Sequence, residues 1–346
     1  MLGPRRREAV IPALVVLLVG SCLVAIAAGA VWISPLTSTR LLAWKFHLMA
    51  RPRHIPEATS VILFQLRLPR VLLAAVVGAA LAAAGTVFQA LFRNPMADPA
   101  IIGVSSGAAL GAIAVILAGG GAALDGLGVS GAAFVGALAT AFLVYRLARL
   151  GPTVQVATLL LAGIAVAAIV SAAISLIMTF SGQQIRSIYF WLLGGLGARG
   201  WQALAAASPF VIAGAVISLA SARDLNLTAL GEERAAQLGL EVERFKRVML
   251  GAGALLTAAA VSVAGLIGFV GLMTPHILRL LIGADHRKLV PAAILGGAVF
   301  MILADLAART LVSPEEIPVG AVTAVLGGPF FLYLLRRERT RAGARP

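Results

Sequence analysis

Apolar runs alternate with short polar and basic islands along the whole chain. Ten of the runs approach the ~20 apolar residues that cross a bilayer; they lie near residues 9–33, 70–92, 100–119, 129–148, 154–181, 203–222, 247–265, 266–283, 289–311 and 317–335. The pattern predicts an all-α, polytopic membrane protein with about ten transmembrane helices, a single domain over residues 1–346. The longest polar stretches, 34–69 and 223–246, leave no room for a soluble domain. A further apolar stretch, 187–198, is closed off by Arg186 and Arg199. A helix of that length reaches only about 18 Å, too short to cross. It is predicted to lie at, or dip into, one interface.

Composition agrees with a lipid environment. Apolar residues make up 60% of the chain, mean hydropathy is +0.98, and charged residues are 12%, against roughly 25% in a soluble domain. The net charge of +14 raises nucleic acid as a partner. The positives, however, sit in islands at the ends of apolar runs rather than along one face, which is the positive-inside pattern of membrane proteins. Nineteen of the 28 Lys and Arg fall on the side that ten spans assign to the N-terminus, and nine on the other. That bias predicts both termini in the cytoplasm. The single cysteine, Cys22, excludes an intrachain disulfide. Arg5, Arg6 and Arg7, an apolar run and then Val19-Gly20-Ser21-Cys22 have the layout of a lipoprotein signal. The run continues past the cysteine to Ile33, so a first transmembrane helix is the better reading.

Long motifs punctuate the spans. In the 223–246 stretch, Leu230-Gly231-Glu232-Glu233-Arg234-Ala235-Ala236-Gln237-Leu238-Gly239-Leu240 follows Leu227. Leu227 with Leu230, and Ala235 with Leu238, give apolar sides to two short helices, with Gly231 and Gly239 as breaks. A loop that mixes charge with spaced apolar residues docks more often than it hangs in solvent. Leu66-Arg67-Leu68-Pro69-Arg70 enters the second span, and Phe88-Gln89-Ala90-Leu91-Phe92-Arg93-Asn94-Pro95-Met96-Ala97-Asp98-Pro99 leaves it. Ile102-Gly103-Val104-Ser105-Ser106-Gly107, Leu159-Leu160-Leu161-Ala162-Gly163, Gly268-Phe269-Val270-Gly271-Leu272-Met273-Thr274-Pro275-His276 and Glu316-Ile317-Pro318-Val319-Gly320 follow. In this order they resemble the FecCD/BtuC-type permeases, the membrane subunits of ABC importers for ferric siderophores, haem and cobalamin.

The resemblance implies a homodimer in the inner or plasma membrane of a bacterium or archaeon, with the pathway on the dimer axis and alternating access. It implies two ATPase subunits on the cytoplasmic side and a soluble or lipid-anchored binding protein outside. It assigns ATPase coupling to Leu230, Gly231, Glu232, Glu233, Arg234, Ala235, Leu238 and Gly239. Binding-protein docking falls to Arg67, Arg70 and Arg309, and a cytoplasmic gate to Asn94, Pro95, Met96, Val156 and Ala157. Plainer roles stand beside these. Arg67 and Arg70 also fit headgroup anchors, Asp305 and Arg309 share a helix face and fit mutual neutralisation, and Pro95 and Pro99 stiffen any short turn. Gln183, Gln184 and Arg186, with Tyr189 and Trp191, form a candidate substrate mouth that suits an anionic chelate or a porphyrin propionate. The same residues suit an interfacial aromatic belt equally well.

The remaining chemistry is narrow. No His, Cys and carboxylate cluster has metal-ligand spacing, so a metal would travel inside a chelate. His276 reads as structural rather than as a metal or haem ligand, because the carbonyls freed by Pro275 need polar partners in lipid. No Walker A pattern occurs; ATP and Mg belong to the partner ATPase, and the chain itself holds no cofactor and is not an enzyme. An ion-coupled secondary transporter needs titratable groups at mid-membrane. Of the 14 acids only Asp305 lies within a span. The predicted cargo is an iron chelate, a ferric siderophore or haem, with cobalamin as the alternative.

Overall fold

The structure, a computed structural model, describes residues 7–29, 31–50, 55–120, 127–151, 153–197 and 199–343. Arg5, Arg6, Arg51, Arg53, Ala198 and Arg345 lie outside the described residues. Numbered in chain order, seven helices are long and apolar enough to cross a membrane: α1 (Val10–Ala27), α3 (Glu57–Leu91), α5 (Leu127–Ala148), α6 (Val156–Phe180), α8 (Gly200–Ala220), α11 (Val242–Ala264) and α13 (His286–Thr310). Three further apolar helices, α4 (Val104–Leu117), α12 (Val270–Ile282) and α14 (Val319–Gly343), account for the other apolar runs. Short helices α2 (Pro35–Lys45), α7 (Ile185–Leu193), α9 (Ala222–Thr228) and α10 (Glu232–Gln237) occupy the connections.

Several boundaries differ from the pattern for identifiable reasons. The first span stops at Ala27, where Ala28 turns extended (φ −85°, ψ 143°), although apolar residues continue to Ile33. The stretch 34–69 contains helix among its described residues. Ser34 caps α2 by accepting from the Thr37 N–H at 3.1 Å, with Pro35 in the first turn, a standard helix start. Residues 57–67 then extend α3 outward, through a π turn at Ile62–Arg67. The stretch 223–246 is shorter than the pattern suggested, because Val242 to Lys246 already form the first turn of α11. The 266–283 run contains only the 13-residue α12. Residues between Gly265 and Phe269 are non-helical, and Phe269 sits in the left-handed region at φ 67°.

Burial separates centre from rim. The most apolar windows of α3 and α11 are each 78% buried and that of α13 is 67%, whereas those of α1, α5, α6 and α8 lie between 17% and 28%. The central helices approach through glycines. An added β-carbon on Gly78 would overlap the carbonyl of Gly297, and one on Gly85 the carbonyl of Gly271. Small residues permit this backbone-to-backbone approach in membranes.

Helix α12 shows how the bundle handles a broken backbone. Pro275 has no N–H to donate to the Gly271 carbonyl four residues earlier. The Gln89 amide on α3 takes that place, donating to the carbonyls of Gly271 at 3.3 Å and Leu272 at 3.1 Å. Gln89 is 1% exposed, so no water competes for the bond. Replacing it with leucine strands a buried carbonyl, a loss of about 1–3 kcal/mol. Gln89→Leu is therefore expected to lower the thermal unfolding midpoint in detergent, and an unchanged midpoint would refute this role.

Candidate functional site

The side chains assigned roles from the sequence gather on the two opposite faces of the bundle. One face, here the knob face, collects the turn at 93–99, the small β1–β2 hairpin (Arg149–Leu150 and Thr153–Val154), α9, α10 and the start of α13. Gly231, at φ 104°, makes the turn between α9 and α10 that only glycine adopts without strain. Two polar clasps hold this knob to the bundle. Asn226 on α9 donates to Asp285 Oδ1 at 2.7 Å and accepts from the His286 N–H at 2.9 Å. The first of these bonds is the main influence that holds the Asp285 carboxyl below its ordinary pKa. In the second clasp, Lys246 Nζ lies 2.6 Å from Glu232 and 3.0 Å from Glu243, and donates to the Val154 carbonyl at 3.3 Å. Glu243 in turn accepts from the Val154 N–H at 3.0 Å.

The residues assigned to coupling thus divide in two. Ala235 is buried, and Glu232 is spent on Lys246. Leu230 and Leu238 are 51% and 60% exposed, and Glu233, Arg234 and Gly239 are exposed beside them. The structure builds a stapled base under an apolar, charge-edged tip.

The residues assigned to a gate lie on the same face. Asn94 organises its turn, accepting from the Met96 N–H at 2.9 Å through its side chain and from the Ala97 N–H through its backbone. Asn94 is exposed, and Pro95 and Met96 are half-buried. Asp98 then caps the 3₁₀ turn Pro99–Ile102 by accepting from the Ala100 N–H at 2.8 Å, while burial pushes its carboxyl up. That turn packs on α6, where the Ile101 carbonyl leaves no room for a β-carbon on Gly163. Val156 and Ala157 open α6, half-buried and exposed respectively.

The opposite face, the mouth face, is organised by arginines. Arg70 Nε and Nη2 approach Asp305 at 3.0 and 2.9 Å, and its Nη1 reaches Glu316 at 2.9 Å. Arg309 stands 3.3 Å from the same Asp305 carboxylate and donates to the Ala25 carbonyl at 2.5 Å. Arg67 donates to the carbonyls of Ile26 at 2.9 Å, Ala27 at 2.7 Å and Val31. These bonds, with Ala28 N–H on Val24, satisfy the last four carbonyls of α1, and two cations complement the negative end of its dipole. Arg67 and Arg309 are only 6% and 7% exposed. Each of the three arginines assigned to docking thus has partners within the chain, Arg67 and Arg309 on α1 and Arg70 on Asp305 and Glu316, and all three line a cavity that opens on this face with only an edge exposed.

Two cavities of about 750 and 540 Å³ open on this face and share Arg70, Leu196, Arg199 and Glu316. Arg199 has no hydrogen bond or ion pair among the described residues, and burial pulls its guanidinium below the ordinary value. Of the mouth residues read from the sequence, Gln184 lines the larger cavity with Phe190 and Trp191. Gln183 is exposed outside it, and Arg186 lies over the Phe190 ring, 5.7 Å from its centroid.

The sequence pattern of the FecCD transport family matches residues 16–337. The chain belongs to the FecCD transport family. It is 48% identical over 288 residues to the cobalamin import system permease protein BtuC of Halobacterium salinarum, covering 83% of this chain and 77% of that one. It is 47% identical over 286 residues to the hemin transport system permease protein HmuU of Yersinia pestis, covering 82% and 85%. A solved metal-chelate type ABC transporter in an inward-facing conformation superposes with a TM-score of 0.82 at 32% identity, over 95% of this chain and 99% of that one.

This FecCD chain is a multi-pass permease subunit of an ABC importer. It is not an enzyme, and ATP hydrolysis falls to ATPase partners. Sequence reasoning paired Asp305 with Arg309 alone. It missed Arg70 as the principal partner, because 235 residues separate the two. Glu316 had been only part of a motif, and Arg199 only the end of an apolar run; neither carries a local signal for its position in the mouth. Removing Arg70 would leave Asp305, at 1% exposure, short of its main counter-charge, and breaking such a buried pair costs about 3–5 kcal/mol. Glu316 is half exposed, and such pairs contribute about 0–1 kcal/mol. Arg70→Met should lower the unfolding midpoint several-fold more than Glu316→Gln; equal shifts would contradict the ranking.

Proposed function

We propose that this permease works as a homodimer, receives a bulky metal chelate from a binding protein on its mouth face, and passes it toward ATPases that push on its knob face. The knob face then lies in the cytoplasm with both termini, consistent with the Lys and Arg bias. The membrane is the inner or plasma membrane of a bacterium or archaeon. The observation that carries this reading is the knob: an exposed Leu230 and Leu238 tip on a base clasped to α13 through Asn226 and to α11 through Lys246. A tip that moves with two central helices is suited to take a push from a docked partner. Leu238→Glu, in the assembled transporter in proteoliposomes, is expected to cut substrate-stimulated ATP hydrolysis about tenfold or more by placing a charge in an apolar contact. Unchanged stimulation would sink the coupling role, while the unfolding midpoint monitors the fold.

The cargo we infer is a metal macrocycle, haem or cobalamin. Two relatives of nearly equal identity carry those names, and both ligands have an anionic group, propionates in one and a phosphodiester in the other. Arg199, shared by both mouth cavities and without a counter-charge among the described residues, suits such a group. Arg199→Gln is expected to reduce uptake of the preferred macrocycle while Arg199→Lys retains most of it. Competition among hemin, cyanocobalamin and a ferric siderophore identifies the cargo. Preferential uptake of the siderophore would reject the macrocycle.

A further inference from the structure

A third cavity, of about 280 Å³, lies away from the mouth, where α5, α6 and α11 converge near the knob face. Its walls are apolar, with Leu138, Phe142, Leu159 and Leu250 among them, and its two polar side chains are Tyr145 and Arg247. Both polar groups sit at one end. Tyr145 is near the C-terminus of α5 and Arg247 near the N-terminus of α11, while Leu138 and Ala254 lie about 10 Å deeper along the same helices, at 1.5 Å per residue. The cavity is thus graded from a cationic rim at the helix ends to an apolar floor further along the same helices.

Two observations point to an occupant. Arg247 is exposed, and its one contact among the described residues is the Nε bond to the Glu243 carbonyl at 3.3 Å, which leaves the rest of the guanidinium unengaged; the nearby Glu243 carboxylate is taken by Lys246. Gly251, one turn below Arg247, would meet nothing within 4 Å if a β-carbon were added. A glycine there weakens the helix without serving any close packing, and its effect is to leave the cavity open.

We propose that this crevice binds one anionic glycerophospholipid, with the phosphate at Arg247 and the Tyr145 hydroxyl and an acyl chain running past Gly251 to Leu138. The orientation proposed above decides only which leaflet supplies the lipid. Headgroup preference is a property of the crevice and is read without reference to sidedness.

The test is native mass spectrometry of the intact transporter, released from detergent after titration with phosphatidylglycerol or phosphatidylcholine of identical acyl chains. Wild type is expected to retain phosphatidylglycerol about fivefold better, the ratio that one cation near a lipid surface confers. Arg247→Gln should bring the ratio close to one and Arg247→Lys should keep it. Gly251→Leu should lower retention of both lipids by filling the cavity. Because Arg247 is exposed, its variants remain informative even if Gly251→Leu disturbs folding. Equal retention of the two lipids by wild type, or a preference that survives Arg247→Gln, overturns the proposal. So does ready disulfide formation between two chains carrying Gly251→Cys, which would show that a second copy covers the crevice.

Discussion

Inside a bilayer no water is at hand to finish an incomplete hydrogen bond, and this constraint shapes the interior of the bundle. The Pro275 break in α12 is tolerated because Gln89 reaches across from α3 to the freed carbonyl. Helix α1 ends early, short of its apolar run, because Arg67 and Arg309 take up its terminal carbonyls. Asp305 remains a buried carboxylate because Arg70 and Arg309 flank it. Each of these side chains is polar, and each would count against a membrane helix if considered alone. Together they are what allows irregular backbone and charge to exist at that depth.

The same satisfied groups connect the two faces. Helix α13 begins at Asp285 and His286, which hold α9 through Asn226, and ends near Asp305 and Arg309, which hold α3 and α1. Through its middle it packs against α3 at Gly78 and Gly297, where no side chain fits. Knob and mouth are thus joined by a single helix gripped at both ends and in close backbone contact at its centre, the connection that the proposed coupling role would use. Glycine contact and polar clasps act together here: one removes slack, the other fixes register.

The proposed contacts with other molecules lie where this internal bonding stops. Leu230 and Leu238 project from the knob, and Arg199 faces the mouth cavities without a partner among the described residues. Arg247 likewise is exposed, with one hydrogen bond among the described residues, from its Nε to the Glu243 carbonyl. Such groups are chemistry available to other molecules.

The sequence by itself determined the class of protein, its multi-span helical character and the family. Apolar runs near span length and long motifs in order are local properties, legible without knowing which segments touch. The run read at 187–198 overlaps α7, which begins two residues earlier, includes Arg186 and ends at Leu193, where Gly194 takes a positive φ. Only the tertiary structure decided which charges are available. Arg67, Arg70 and Arg309 read alike in the sequence as basic residues at a span end, yet two are buried on α1 and one bridges Asp305 to Glu316. The reason is physical: whether a guanidinium is free depends on which carbonyl or carboxylate the fold brings within 3 Å of it, and those partners lie between 36 and 284 residues away, save for the Asp305 that precedes Arg309 by one turn.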